Sequence, residues 1–451
     1  MRRTRPLLAA ACSLALATAG ALSLGFSTAG TTAATAVAAT GGKTAAAVEV
    51  RPDLHQVPGA SFADPPTTAQ CESSYQIACY GARQVEEAYG LPQLYQRGYQ
   101  GQGQTIVIVD AFGSQTIRGD LAVFDKAYGL PDPQLSIIQP AGKVVYQDDW
   151  AGETTLDVEY AHAIAPKAKI VLVETPTDET EGTAGFPEIV KAEEYVIKHH
   201  LGGVISQSFS ATEETFPSKG SLLGLRSAYI DAARAGVTVL AASGDNGATS
   251  QQLDGTDLYT YPVVGWPSSD PLVTGIGGTQ LHLDAAGNHT TPDSAWSGSG
   301  GGVSSVFSRP WYQDGVRADT GGSRGVPDVS MSGACDGAVD VYQSSAGKPG
   351  RWELICGTSE ATPEFAGIVA LAEQYGHHRL GLINPALYRM SATKAPGVVP
   401  VTSGNNTATF TQGGKTYTVQ GYSAKAGYSL VTGVGTVWAP SFVPELARAA
   451  R

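Results

Sequence analysis

Four short runs constrain this chain more than anything else in it: "QTIVIVDAF", "AKIVLVET", "GGVISQSF" and "GVTVLAAS". Each is a continuous apolar, β-branched stretch with no polar alternation, the pattern of a strand covered on both faces and hence of a parallel sheet. "PLVTGIGG" reads as a further strand. Helical patterns fall between and after them, at 153–164, 187–200, 221–235 and 361–375. A strand–helix alternation of this kind predicts an α/β fold, a parallel β-sheet with helices on both faces. There is no internal repeat and no long linker, so a single domain over 80–445 is the economical division.

In open parallel sheets, sites form where strands end at their carboxyl side. Three segments there carry unusual chemistry. The first is "CGTSEATPEFAG", where Ser359 stands at the start of an apolar helix, Pro363 sits in its first turn, and Ala366-Gly367 allow close packing. A serine there is an ordinary N-cap, but it is also where a nucleophile gains a backbone N–H and the helix dipole for developing negative charge. The second is "GETTLDVEYAHAIAP". Glu153 and Asp157 lie four apart, hence on one helical face, where like charges cost stability unless one holds the other's proton. The third is "VLAASGDNG", which puts Asp245 at the end of a buried strand, where a turn aspartate beside glycine is the plain alternative.

A serine nucleophile needs a base. Asp110, in "IVDAFG", resembles the aspartate of a Ser-His-Asp set, but no His-Gly-Thr-His setting follows it. His199-His200 and His377-His378 end helices, and His162 has no second feature to recommend it. A histidine base is therefore the alternative rather than the expectation, and an esterase is disfavoured because Ser359 lacks a GxSxG setting.

The combination of Gly-Thr-Ser-x3-Pro, Glu153-x3-Asp157 and Ser-Gly-Asp245-x-Gly resembles the sedolisins, the serine-carboxyl peptidases of the subtilisin-like superfamily. The resemblance covers most of 78–440. It implies a subtilisin-like fold and acyl transfer in mild acid, with peptides or unfolded proteins as substrates. Carried over residue by residue, Ser359 is the nucleophile, Glu153 the general base, Asp157 its orienting partner, and Asp245 a protonated oxyanion donor. "SQSFSATEE" resembles the family's Ser-x-Ser-Trp-Gly segment, which makes Ser208, Phe209, Ser210 and Gly244 the expected substrate-binding residues. Phe209 and Ser210 stand where Trp and Gly are usual. A catalytically silent sedolisin-like binding protein is the competing reading of another class.

The same resemblance implies a calcium site near the C-terminus, but Pro400, Lys425 and Ser429 stand where Asp, Gly and Asp are expected. A hard cation wants carboxylate oxygens, so loss of the site, and no metal cofactor, is expected. Lys425 is a possible replacement for the ion.

The remaining features concern compartment and partners. "MRRTRPLLAAACSLALATAGALSLG" has a charged start and an apolar run, so residues 1–40 read as an export signal and 41–79 as a short N-terminal or pro-segment. The expected location is extracellular. Cys71, Cys79, Cys335 and Cys356 remain after the signal, an even number suited to two disulfides. Three pairings are possible, and the local ones, 71–79 and 335–356, are simplest. Charged residues are only 16% and net charge is −12 without a basic stripe, which argues against nucleic acid and anionic membrane as partners. A soluble monomer without a membrane anchor is expected.

Overall fold

The computed structural model describes residues 55–345 and 347–451. The proposed signal, residues 1–40, lies outside the described residues. The sheet is built from β1 (Thr105–Ala111), β2 (Gln134–Ile138), β3 (Lys169–Thr175), β4 (Val204–Gln207), β5 (Thr238–Ala242), β6 (Thr274–Gln280), β7 (Ser294–Ala295) and β8 (Val329–Ser332). Their order is β7-β6-β5-β4-β1-β3-β2, with β8 also paired to β6. All pairs are parallel except β6 with β7.

The unbroken apolar runs have a direct cause. In β1, Ile106 and Ile108 pack into one core, and Val107 and Val109 into another on the opposite face. Successive side chains alternate faces, so a strand covered twice needs apolar residues at every position. The first core is covered by α1 (Ile117–Tyr128), α2 (Asp148–Ile164) and α5 (Thr358–Gly376). The second is covered by α3 (Phe186–Lys198) and α4 (Ser227–Ala235).

The chain leaves β1 for β2 and β3 on one side, then returns for β4 and β5 on the other. Loops after β1 and β4 therefore diverge, which opens a crevice at the carboxyl ends of the strands. The two helices that flank it, α2 and α5, cross closely at Gly367. A Cβ built there would lie 2.6 Å from Ile164 Cβ, so only glycine fits.

Two helix starts differ from the sequence pattern. α2 begins at Asp148, because Trp150 is buried and extends the apolar face ahead of Glu153. α5 begins at Thr358, so Ser359 lies within the first turn and Pro363 within the second. That shift has a consequence at the site.

The described part of 41–79 is built onto the rest. His55 and Gln56 pair antiparallel with Cys356 and Ile355 of the strand Lys348–Cys356, which runs directly into Gly357. A helix over Thr68–Tyr75 is tied down by the Cys71–Cys79 disulfide, and the second disulfide joins Cys335 to Cys356. These are the two local pairings. Among the described residues, no helix is long and apolar enough to cross a membrane.

Candidate active site

Three strand ends and two helices bring the sequence-derived residues to one place. Ser359, on α5, is 2% exposed, and Glu153 and Asp157, on α2, are fully buried. Asp245, from the loop after β5, is 5% exposed.

Pro363 and Ser208 link these elements. A residue in helix interior donates its N–H to the carbonyl four before it, and proline has none. Pro363 therefore frees the carbonyl of Ser359 itself. The Ser208 hydroxyl lies 3.3 Å from that carbonyl and 2.9 Å from Asp157 Oδ1. With one proton for two acceptors, its shorter bond is to the carboxyl. Ser208, expected to line the substrate cleft, thus also joins the Asp157 carboxyl to the backbone of Ser359.

Burial pushes the Asp157 carboxyl well above the ordinary range, helped by the charges of Asp110 and then Glu153, while the Ser208 bond opposes the shift. Asp110, at the end of β1, is pushed up to about 7 by burial and by Glu174, against a hydrogen bond from Thr154. The strand-end aspartate thus faces a carboxyl, not an imidazole. It adds a third acid to the buried set, one that was visible in "IVDAFG" but was paired there with a histidine that the chain lacks. Carboxyls this close hold their protons jointly and titrate as a group.

The remaining His candidate is engaged elsewhere. His162 is two and a half turns beyond Glu153, on the opposite face of α2. Its Nε2 is 2.9 Å from the Pro131 carbonyl and 3.2 Å from Asp125. Glu159, on another face again, accepts the Tyr342 N–H at 3.1 Å.

Asp245 is held to the start of α5. Its Oδ1 accepts from both the N–H and the hydroxyl of Thr358, each at 2.7 Å, and the Gly244 N–H donates to the Thr358 hydroxyl at 3.1 Å. A neutral acid can take two bonds on its carbonyl oxygen and carry its proton on the other. That other oxygen, Oδ2, faces Gly357: a Cβ there would lie 2.4 Å from it. The N–H of Ser359 belongs to the first turn of α5, whose donors lack partners within the helix. The Asp245 carboxyl and the Ser359 N–H thus both lie beside Gly357, at the start of α5.

Ser359 and Asp245 open on a cavity whose walls include Ser208, Phe209, Ser210 and Gly244, the four expected substrate-binding residues. Glu179 and Gln251 also line it. Sequence reading missed both, since they come from loops without a motif.

Three positions where the resemblance implies calcium ligands or their turn carry other groups. Pro400 offers no side-chain oxygen. Ser429 Oγ is 2.9 Å from Thr432 Oγ1 and accepts the Thr432 N–H, closing its turn with neutral groups. The half-exposed Lys425 ammonium pairs with Asp319. Among the described residues, no group of three or more His, Cys, Asp or Glu could hold a metal.

The fold is a subtilisin-like α/β fold with buried carboxyls gathered near a serine, and comparison with known proteins agrees on fold and family. Residues 139–413 match the subtilase family. Kumamolisin from a Bacillus species is 32% identical over 347 residues, covering 72% of this chain and 57% of that protein. Tripeptidyl-peptidase sed4 of Aspergillus fumigatus is 30% identical over 70% of this chain and 58% of its own length. Sedolisin from a Pseudomonas species is 28% identical over 74% and 56%. The chain spans a little over half the length of these relatives. The structure of Pseudomonas sedolisin complexed with pseudo-iodotyrostatin has the same fold, with a TM-score of 0.69 and 24% identity over 83% of this chain and 100% of that one. The chain belongs to the subtilase family and, within it, to the sedolisins.

Proposed function

We propose that this protein is a secreted serine-carboxyl peptidase that hydrolyses peptide bonds in acid. The observation that carries the reading is the continuous linkage from Asp157 through Ser208 to the backbone of Ser359, with Asp245 fastened to the adjacent Thr358.

Glu153, ionised, takes the proton from Ser359 Oγ as that oxygen attacks the peptide carbonyl carbon. Asp157 stays protonated and keeps the second charge off the pair, since two adjacent buried carboxylates do not both ionise. The carbonyl oxygen becomes an oxyanion held by the Asp245 acid proton and the Ser359 N–H. Glu153 then gives its proton to the departing amine, which leaves an acyl-enzyme. Water repeats the sequence and releases the acid. Both conditions, an ionised Glu153 and a protonated Asp245, are met together only in mild acid.

The substrates are peptides or unfolded proteins, and the enzyme acts as a monomer without nucleic acid or membrane. No calcium is required, a reading supported by Pro400 and by the neutral turn at Ser429. The test is binding of a peptide aldehyde, which forms a hemiacetal with an active serine, measured by calorimetry in acid. Tight binding that is lost in Ser359→Ala is expected. Equal binding to both forms would overturn the assignment of Ser359.

A further inference from the structure

We infer that residues 55–80 form a clasp that stays in the active enzyme and positions its nucleophile, so that any maturing cut falls before His55. This rests on the peptidase reading above and concerns how the same site is assembled.

Ser359 is delivered by two antiparallel strands, Ala338–Ser345 and Lys348–Cys356, the second of which runs into Gly357. Such a pair has two open edges. Near the site the N-terminal segment closes both. His55 and Gln56 pair with Cys356 and Ile355 on one edge, and Cys79 and Tyr80 pair with Ala338 and Val339 on the other. The Val57 N–H donates to the Leu354 carbonyl at 2.9 Å and the Phe62 N–H to the Trp352 carbonyl at 2.8 Å, which extends the first contact along the strand.

Between its two strands the segment is folded in its own right. Thr67 Oγ1 accepts the Gln70 N–H and Gln70 Oε1 accepts the Thr67 N–H, a reciprocal cap on the helix Thr68–Tyr75. The Cys71–Cys79 disulfide ties that helix to one arm of the clasp. The Tyr75 hydroxyl donates to the Gly59 carbonyl at 2.8 Å and ties it to the other. Ala60, Cys71 and Cys79 share one buried core with Ala338, Leu354 and Cys356. Removal of the segment would open that core and both edges to water.

The clasp bears on the chemistry because the turn after Cys356 has no slack. The Gly357 N–H donates to the Gly333 carbonyl at 2.9 Å, and Cys356 is joined to Cys335. The Thr358 N–H and hydroxyl meet Asp245 Oδ1, while Gly357 passes too close to Oδ2 to carry a methyl group. A shift of the strand end therefore moves Thr358 and Ser359 together against Asp245. Misplacement of a reacting group by about 1 Å can cost about 10²-fold in rate.

The full chain is expressed, its product is passed over an immobilised peptide aldehyde in acid, and the captured protein is read by intact mass and N-terminal sequencing. A captured form that begins at or before His55 is expected. One that begins later would overturn the inference and leave the peptidase reading intact, whereas no capture would overturn both. Val57→Pro, which removes the bond to Leu354, is then compared with Phe62→Ala, which loosens the far end of the same contact but keeps its backbone bonds. Below the unfolding midpoint of each, Val57→Pro should lower kcat by about 10-fold or more with KM within about 2-fold. Phe62→Ala should keep kcat within about 2-fold of the parent despite a lower urea midpoint. A Val57→Pro enzyme with the kcat of Phe62→Ala would overturn the positioning role.

Discussion

Replacing Gly357 by alanine places one methyl group against the Asp245 carboxyl, the proposed oxyanion donor, close to the Ser359 backbone. Gly357 has φ 145° and ψ 169°, a region that is essentially glycine's alone and that costs another residue about 1–3 kcal/mol. The new Cβ would stand 2.4 Å from Asp245 Oδ2. That oxygen ends a short side chain held by two bonds to Thr358, so it cannot swing aside cheaply. If Asp245 moves, two hydrogen bonds worth about 1 kcal/mol each are lost. Together these place the destabilisation at about 3–5 kcal/mol. Loss of one oxyanion donor elsewhere costs about 10²–10³ in kcat, and Gly357→Ala should approach that. The assay is kcat and KM on one peptide in acid, alongside urea unfolding. Because the methyl acts through Asp245, the double variant with Asp245→Ala should be little slower than Asp245→Ala alone. A Gly357→Ala enzyme with kcat within about 3-fold of the parent, too small a loss for a displaced donor, would refute the reasoning. So would a double variant whose losses multiply.

Gly367→Val would force α2 and α5 apart at Ile164, so a loss of about 1–3 kcal/mol in urea unfolding is expected. Ser208→Ala removes a bond that favours ionised Asp157, so the Asp157 carboxyl rises further and the alkaline limb of the pH–rate profile should move to higher pH. Stability itself should fall as pH rises. Burial lifts Asp110, Asp340 and Glu373 to about 7, so between about pH 4 and pH 7 the folded chain binds more protons than the unfolded one. By linkage ΔG of unfolding then declines across that window, by about 4 kcal/mol for Asp340 alone, since each unit is worth about 1.4. Thermal unfolding at several pH values should show the highest midpoint near the acid end, and a midpoint that rises towards neutrality would contradict the assignment.

How much of this was legible depended on the kind of signal. Strands buried on both faces, such as Thr105–Ala111, announce themselves because every position must be apolar. The edge strand Gln134–Ile138 does not, since its residues are partly or fully exposed and one neighbouring strand suffices. Glu153 and Asp157 could be paired from their four-residue spacing alone. Asp110 could not be joined to them, because strand and helix meet only in the folded sheet. Ser208 was recognised as a cleft residue, but its bond towards Ser359 depends on the carbonyl that Pro363 leaves free, which in turn depends on where α5 starts. Glu179 and Gln251 belong to irregular loops whose position is set by Thr212 and Thr215, contacts with no sequence period.

The central claim is that a carboxylate, not an imidazole, takes the proton from Ser359. The direct test is hydrolysis of an unfolded protein from about pH 2.5 to about pH 8, comparing the unmodified protein with Ser359→Ala and Glu153→Gln. Activity that peaks in acid and is abolished by either substitution is the result predicted. Activity that peaks near neutrality and survives Glu153→Gln would contradict it.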